Sequence, residues 1–343
     1  MEPSDVEIRT GRAAGGQSAP ADDGSTTPSC VAGMHRSGTS MVANLLHTCG
    51  VSLGPEDELN KPAPDNPDGH FENRSFVALN EDILTRFGGR WDDPPSLPTG
   101  WESAPEVGPY LERAENLIGR FRRRHWGWKD PRTSLTLPFW QRLIPDLKIV
   151  VCVRNPLEVS RSLLLRGNLQ SPSPFQLWLT YYRQLLSAAR PERRLVTHYR
   201  SYFHNPRAEL ARVLGWLGLE VSGETLEGAC ARFSAGLRHH HAGARELIEA
   251  GAPDEVLGTY FSLCAEAGPI YGQARQHETA GDPEHSAARV NEVDAFIKEL
   301  QRLREGHERL SEAYAARERT LNDILNSKSF RLVSSYWRLR GRK

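Results

Sequence analysis

The sequence predicts a three-layer α/β/α fold with a central parallel sheet, extended at the C-terminus by a helical coiled coil. Three observations carry that expectation. Apolar runs alternate with helical stretches, and Ile149-Val150-Val151-Cys152-Val153 shows no polar alternation, as in a strand buried on both faces. A turn bounded by Gly33 and Gly38 joins a short strand to a helix. Late in the chain an apolar pattern recurs every seven residues.

The elements follow in order. Residues 1–28 are small and polar, without periodicity, and are expected to be disordered. A short strand over 29–33 leads through the turn to a helix over 41–49, which Gly50 stops. Residues 54–75, rich in Pro, Gly, Asp and Asn, read as a loop. Helices are expected over 76–87 and 109–124, and a strand over 126–128. The buried strand 149–153 precedes a helix with Pro156 in its first turn. A helix over 175–189, a strand over 195–198 and a helix over 206–217 complete the alternation. The folded domain is expected over 29–275, followed by a linker over 276–288.

From 289 to 326 the pattern changes. Val293, Leu300, His307, Tyr314 and Leu321 form one heptad position; Phe296, Leu303, Leu310, Arg317 and Ile324 form the other. This is a coiled-coil seam flawed at His307, Tyr314 and Arg317, and it suggests a homo-oligomer. The tail, 327–343, mixes aromatic and aliphatic residues with five basic ones between Phe330 and Lys343. That composition suits peripheral contact with the inner membrane face or a partner.

Bulk properties exclude several classes. Lys+Arg and Asp+Glu balance at 43 each, so no general attraction to nucleic acid is expected. The five cysteines include no Cys-x-x-Cys pair and read as buried free thiols, not as a disulfide frame or zinc site. No signal peptide or membrane-spanning run is visible, which points to a cytoplasmic location.

The most informative segment is Gly33-Met34-His35-Arg36-Ser37-Gly38-Thr39-Ser40. A strand, a two-glycine turn and a helix start make an anion cradle, because backbone N–H groups and the helix dipole both favour negative charge. The glycine spacing is of the P-loop type, but Thr39 stands where a triphosphatase has its lysine, and Arg36 supplies a cation instead. A triphosphatase strand ending in Asp helps hold Mg²⁺. Here the apolar strand ends in Arg154-Asn155, which suits an anion and no metal.

Arg-Ser-Gly-Thr-Ser after an apolar strand resembles the 5′-phosphosulfate loop of sulfotransferases that use 3′-phosphoadenosine-5′-phosphosulfate (PAPS). The resemblance implies that Arg36 stabilises charge on the leaving phosphate oxygen. It implies that Ser37, Gly38, Thr39 and Ser40 donate to the 5′-phosphate and sulfonate. That family also reads the 3′-phosphate with a strand-end Arg and a Ser eight positions on, matched by Arg154 and Ser162. An Arg can fork two donors onto a phosphate. Thr197-His198-Tyr199-Arg200 resembles the segment whose aromatic residue lies near the adenine, the role implied for Tyr199, although the family usually has Glu where Arg200 stands. Residues 233–239, with Arg238, are the candidate for a second basic 3′-phosphate loop. The resemblance covers about residues 29–240.

Sulfonate transfer needs positioning and charge stabilisation. Lys129, in Trp128-Lys129-Asp130-Pro131-Arg132, ends a strand at the sheet's carboxyl edge and is assigned to the equatorial oxygens; Lys-Asp-Pro resembles a segment of tyrosylprotein-type sulfotransferases. Three residues compete as the base: Glu72 in Gly69-His70-Phe71-Glu72-Asn73, then Glu56, then His70. Glu72 is expected to be desolvated, with a raised pKa. The acceptor is expected to be a hydroxyl, read as that of a carbohydrate or glycolipid. Two rival readings remain: a P-loop kinase or NTPase-like protein, and a non-catalytic coiled-coil interaction protein.

Overall fold

A computed structural model describes residues 27–61, 69–165, 173–231 and 242–279, together with Arg309, Ala316 and Arg317. Strand β1 (Thr27–Ala32) enters helix α1 (Thr39–Thr48), followed by α2 (Arg74–Arg86) and α3 (Gly108–Ile118). Strand β2 (His125–Lys129), α4 (Thr133–Leu143), β3 (Lys148–Val153), α5 (Pro156–Leu165) and α6 (Pro174–Ala188) come next. After β4 (Arg194–His198) come α7 (Ser201–His204), α8 (Pro206–Leu217) and α9 (Gly223–Ala231). The last are α10 (Ala244–Glu249), α11 (Asp254–Glu266) and α12 (Pro269–Thr279).

The sheet order is β2-β1-β3-β4 and every pairing is parallel. Cys30 lies between Trp128 and Ile149, and Val151 pairs with Val196. Alternate residues of β1, β3 and β4 enter different cores. Cys30, Ala32, Trp128, Ile149 and Val151 join the core under α2, α4, α6 and α11, where the Phe76 ring stacks on Trp128 at 4.6 Å. Val31, Val150 and Cys152 join the core under α1, α8 and α9. The sheet is thus buried on both faces, in the three layers that the uninterrupted apolar run of β3 implies.

Boundaries differ from expectation for local reasons. Helix α1 begins at Thr39 and not Met41, because Gly38 adopts φ +88° and turns the chain into the helix. The side chain of Asn73 accepts from the Ser75 N–H at 3.0 Å and starts α2 two residues early. Helix α3 stops at Ile118, not 124; Gly119 follows, then the exposed Arg120, Arg122, Arg123 and Arg124. Helix α4 escaped the sequence reading because Pro138 lies inside it. Burial of Leu135, Leu137, Phe139 and Trp140 outweighs the hydrogen bond that Pro cannot donate.

Of the cysteines, Cys30, Cys49, Cys152 and Cys264 are buried and Cys230 is half-buried; all are free. The linker beyond 279, the tail and the candidate loop over 233–239 lie outside the described residues. So does the heptad seam, apart from Arg317, which is helical and exposed. Among the described residues no helix is long and apolar enough to cross a membrane.

Candidate active site

All four strands point their carboxyl ends at one edge, so the segments that follow them converge there. The Gly33–Gly38 turn follows β1, Asp130–Arg132 follows β2, Arg154–Asn155 follows β3, and Tyr199–Arg200 follows β4.

Close packing shapes the turn after β1. Gly33, at φ +135°, has no room for a side chain: a Cβ there would lie 2.4 Å from the Cys152 carbonyl oxygen. Its N–H donates to Ser134 Oγ at 2.9 Å, which ties the turn to α4. Arg36 takes φ +67°, rare for a residue with a side chain. Ser37 is fully buried, and the Tyr182 hydroxyl lies 3.2 Å from its Oγ while donating to the Cys152 carbonyl at 2.5 Å.

The two segments that the sequence assigns to phosphates meet. Arg36 Nε donates to Ser162 Oγ at 2.9 Å across 126 residues of sequence, and Arg154 Nη1 donates to the Arg36 carbonyl at 3.2 Å across 118. The Arg154 guanidinium lies 4.3 Å from the centre of the Tyr199 ring, a cation–π contact. Phe203 meets the same ring edge-on at 4.8 Å. A Cβ on Gly38 would come within 2.5 Å of this ring, so only glycine lets the turn pass. Tyr199 is 8% exposed.

At the end of β2, Lys129 is 1% exposed and its Nζ donates to Glu72 Oε1 at 2.6 Å. Asn60 Nδ2 donates to the other Glu72 oxygen at 3.2 Å. A network absent from the sequence reading lies beside the pair. The fully buried Asp130 accepts from Asn80 at 2.8 Å and from Arg132 Nη1 at 2.9 Å, and Arg132 also reaches Glu81. Burial opposes the Arg132 charge, but Asp130 and Glu81 outweigh it and raise its pKa.

Glu72 corrects the expectation of a raised pKa. Burial does push its carboxyl up. The Lys129 ammonium at 2.6 Å, with Arg132 and His70, outweighs that and holds it below the ordinary carboxylate range. The carboxyl was legible as buried, but its cation comes from a strand 57 residues away. A carboxylate with a depressed pKa stabilises the fold above its unfolded pKa, about 4.3, and that gain disappears as pH falls through the folded value. The stability gap between the wild type and Glu72→Gln, read from urea midpoints, is therefore expected to be constant above about pH 5 and to shrink below about 4. A gap that stays flat into acid would contradict the assigned ionisation.

The other two base candidates part company. His70 lies close enough for its charge to lower the Glu72 pKa. Glu56 is exposed in a single 3₁₀ turn, Glu56–Glu58, and lines a separate cavity of about 530 Å³ with His47, Arg120, Arg122 and Arg123. The structure does not bring it to Lys129.

Residues 28–223, more than half of the chain, match the model of the sulfotransferase family. The chain belongs to that family. Its domain resembles a Caenorhabditis briggsae protein described as a protein-tyrosine sulfotransferase, 27% identical over 181 residues. The match takes in 50% of this chain and 58% of the length of that curated relative. Among solved structures, a sulfotransferase from Mycobacterium avium is 16% identical with a TM-score of 0.44, covering 69% of this chain and 75% of that one. A mouse sulfotransferase complexed with PAP is 13% identical with a TM-score of 0.36, covering 81% of this chain and 88% of that one. Membership makes the chain a sulfotransferase by family.

Glu158, which accepts from Arg154 Nε at 2.7 Å, and the Asn80–Asp130–Arg132 network lie beside these candidates and were missed by sequence reasoning. The only signal for Glu158 was its position four residues after Arg154, one helical turn on.

Proposed function

We propose that this sulfotransferase takes its sulfonate from PAPS and passes it to a hydroxyl by in-line displacement. The observation that carries this reading is the meeting of the two phosphate motifs: Arg36 on Ser162, and Arg154 on the Arg36 carbonyl. The residues fit the donor. The turn has glycine where any Cβ would collide, at Gly33 and Gly38, and cations stand along the edge at Arg36, Lys129 and Arg154.

PAPS supplies the activated sulfonate and a phosphate leaving group. The chain's own residues do the rest. Arg36, with donors from Ser37, Gly38, Thr39 and Ser40, neutralises the 5′-phosphate as it departs. Lys129 steadies the equatorial sulfonate oxygens. Arg154 and Ser162 hold the 3′-phosphate, and Tyr199, packed against Arg154, lies near the adenine. Glu72 takes the acceptor proton, with His70 beside it.

The sequence suggests a carbohydrate or glycolipid acceptor. Two observations favour a tyrosine phenol as a second reading. The curated relative is described as a protein-tyrosine enzyme. A carboxylate with a lowered pKa is a weak base, better matched to a phenol of pKa about 10 than to an alcohol.

The donor is tested first, because that needs no acceptor. Calorimetry should show tight, metal-free binding of adenosine 3′,5′-bisphosphate. Arg154→Ala should weaken it about ten- to a hundred-fold, the range for a charge-assisted hydrogen bond. No binding, or a preference for ATP with Mg²⁺, would overturn the donor assignment in favour of a kinase.

A further inference from the structure

The donor site contains a carboxylate where an anion-binding pocket should least want one. Glu158 is 3% exposed, on the first turn of α5, within the cluster assigned to the 3′-phosphate. Its Oε2 accepts from Arg154 Nε at 2.7 Å, and its Oε1 accepts from the Ala242 N–H at 2.9 Å. Arg200 Nη2 stands 3.9 Å from Oε1 and donates to the Ala242 carbonyl at 3.0 Å. Asn155 Nδ2 donates to the carbonyls of Ala242 and Gly243 at 2.9 and 3.0 Å.

Arg154 is consequently fixed on three sides. Glu158 holds Nε, the Arg36 carbonyl holds Nη1, and the Tyr199 ring lies against the guanidinium face. Among the described residues no protein group takes Nη2, which leaves that end of the fork for a ligand. A long, flexible side chain otherwise loses rotamer freedom on binding phosphate, and fixing it beforehand removes that cost.

We infer that Glu158 is the positioning residue for recognition of the donor's 3′-phosphate: it aims Arg154 and anchors the Ala242 backbone beside it. The inference rests on the PAPS reading. It makes Glu158 a determinant of 3′-phosphate selectivity, even though its charge taken alone repels phosphate. Both carboxylate oxygens accept, so glutamine cannot replace it; an amide has one acceptor oxygen, and its NH₂ would face a donor.

The test compares binding of adenosine 3′,5′-bisphosphate and adenosine 5′-monophosphate by calorimetry. Glu158→Gln should weaken the bisphosphate about tenfold or more and leave the monophosphate within about twofold, the loss of one well-aligned charged hydrogen bond. On an Arg154→Ala background the same change should add nothing, because Glu158 acts through that arginine. Glu158→Asp keeps the charge but is one methylene shorter; it should show the same selective loss and serves if the glutamine variant does not fold. Equal losses for both nucleotides would reduce Glu158 to a purely structural role and overturn the inference. Unchanged or tighter bisphosphate binding would overturn it as well, showing that the carboxylate only neutralises. If the wild type does not bind the bisphosphate, the donor reading itself fails and the inference fails with it.

Discussion

Glu72→Gln is expected to lower kcat by about 10²- to 10⁴-fold once an acceptor is in hand, the range for loss of a positioned general base. The affinity for adenosine 3′,5′-bisphosphate should hardly move, because the Arg36, Arg154 and Ser162 contacts do not involve this carboxyl. Glutamine keeps an oxygen for Lys129 Nζ but cannot take a proton at that pH. Alanine would be a poorer probe, since it also removes the oxygen that accepts from Lys129 Nζ and leaves that buried ammonium without an acceptor there. Both steady-state kinetics and calorimetry are needed: a fall in kcat together with lost donor affinity would mean that the site collapsed. A variant of near-normal kcat would remove Glu72 as the base and leave His70 next in line.

Gly33→Ala should be strongly destabilising. The added carbon would sit 2.4 Å from a backbone carbonyl on β3, with no side chain to swing away, and the residue holds φ +135°. Strain of about 1–3 kcal/mol from the backbone conformation adds to overpacking of about 1–3 kcal/mol. A loss of about 3 kcal/mol lowers Tm by roughly 6–12 °C for a domain of this size. Donor binding should fall too, because the turn and Ser134 would separate. A thermal melt within 2 °C or so of the wild type would show that β1 and β3 can part without penalty.

Much of this was legible in the sequence because it is local. The strand-turn-helix at Gly33–Ser40 and the apolar strand ending at Arg154 carry their own signals, and the sheet follows from their alternation. What escaped was non-local or locally contradictory. Helix α4 contains Pro138 and is held by burial rather than propensity. The sign of the Glu72 shift depends on Lys129, and Asp130 and Asn80 find each other across 50 residues. Glu56 stood second to Glu72 in the sequence; the path of the chain separates a carboxyl beside Lys129 from one beside an arginine-lined cavity.

The sheet order has a consequence during synthesis. Among the described residues the first strand made, β1, is an interior one, and its neighbours are the second and third. The Gly33–Gly38 turn therefore leaves the ribosome before β2 and β3, the strands that hold it, exist. About 120 residues separate Gly33 from Val153, and at about 5–20 residues per second their synthesis takes about 6–24 s. Throughout that interval the nascent chain exposes the apolar residues of β1 and α1, and this is the stage at which a chaperone would find its target.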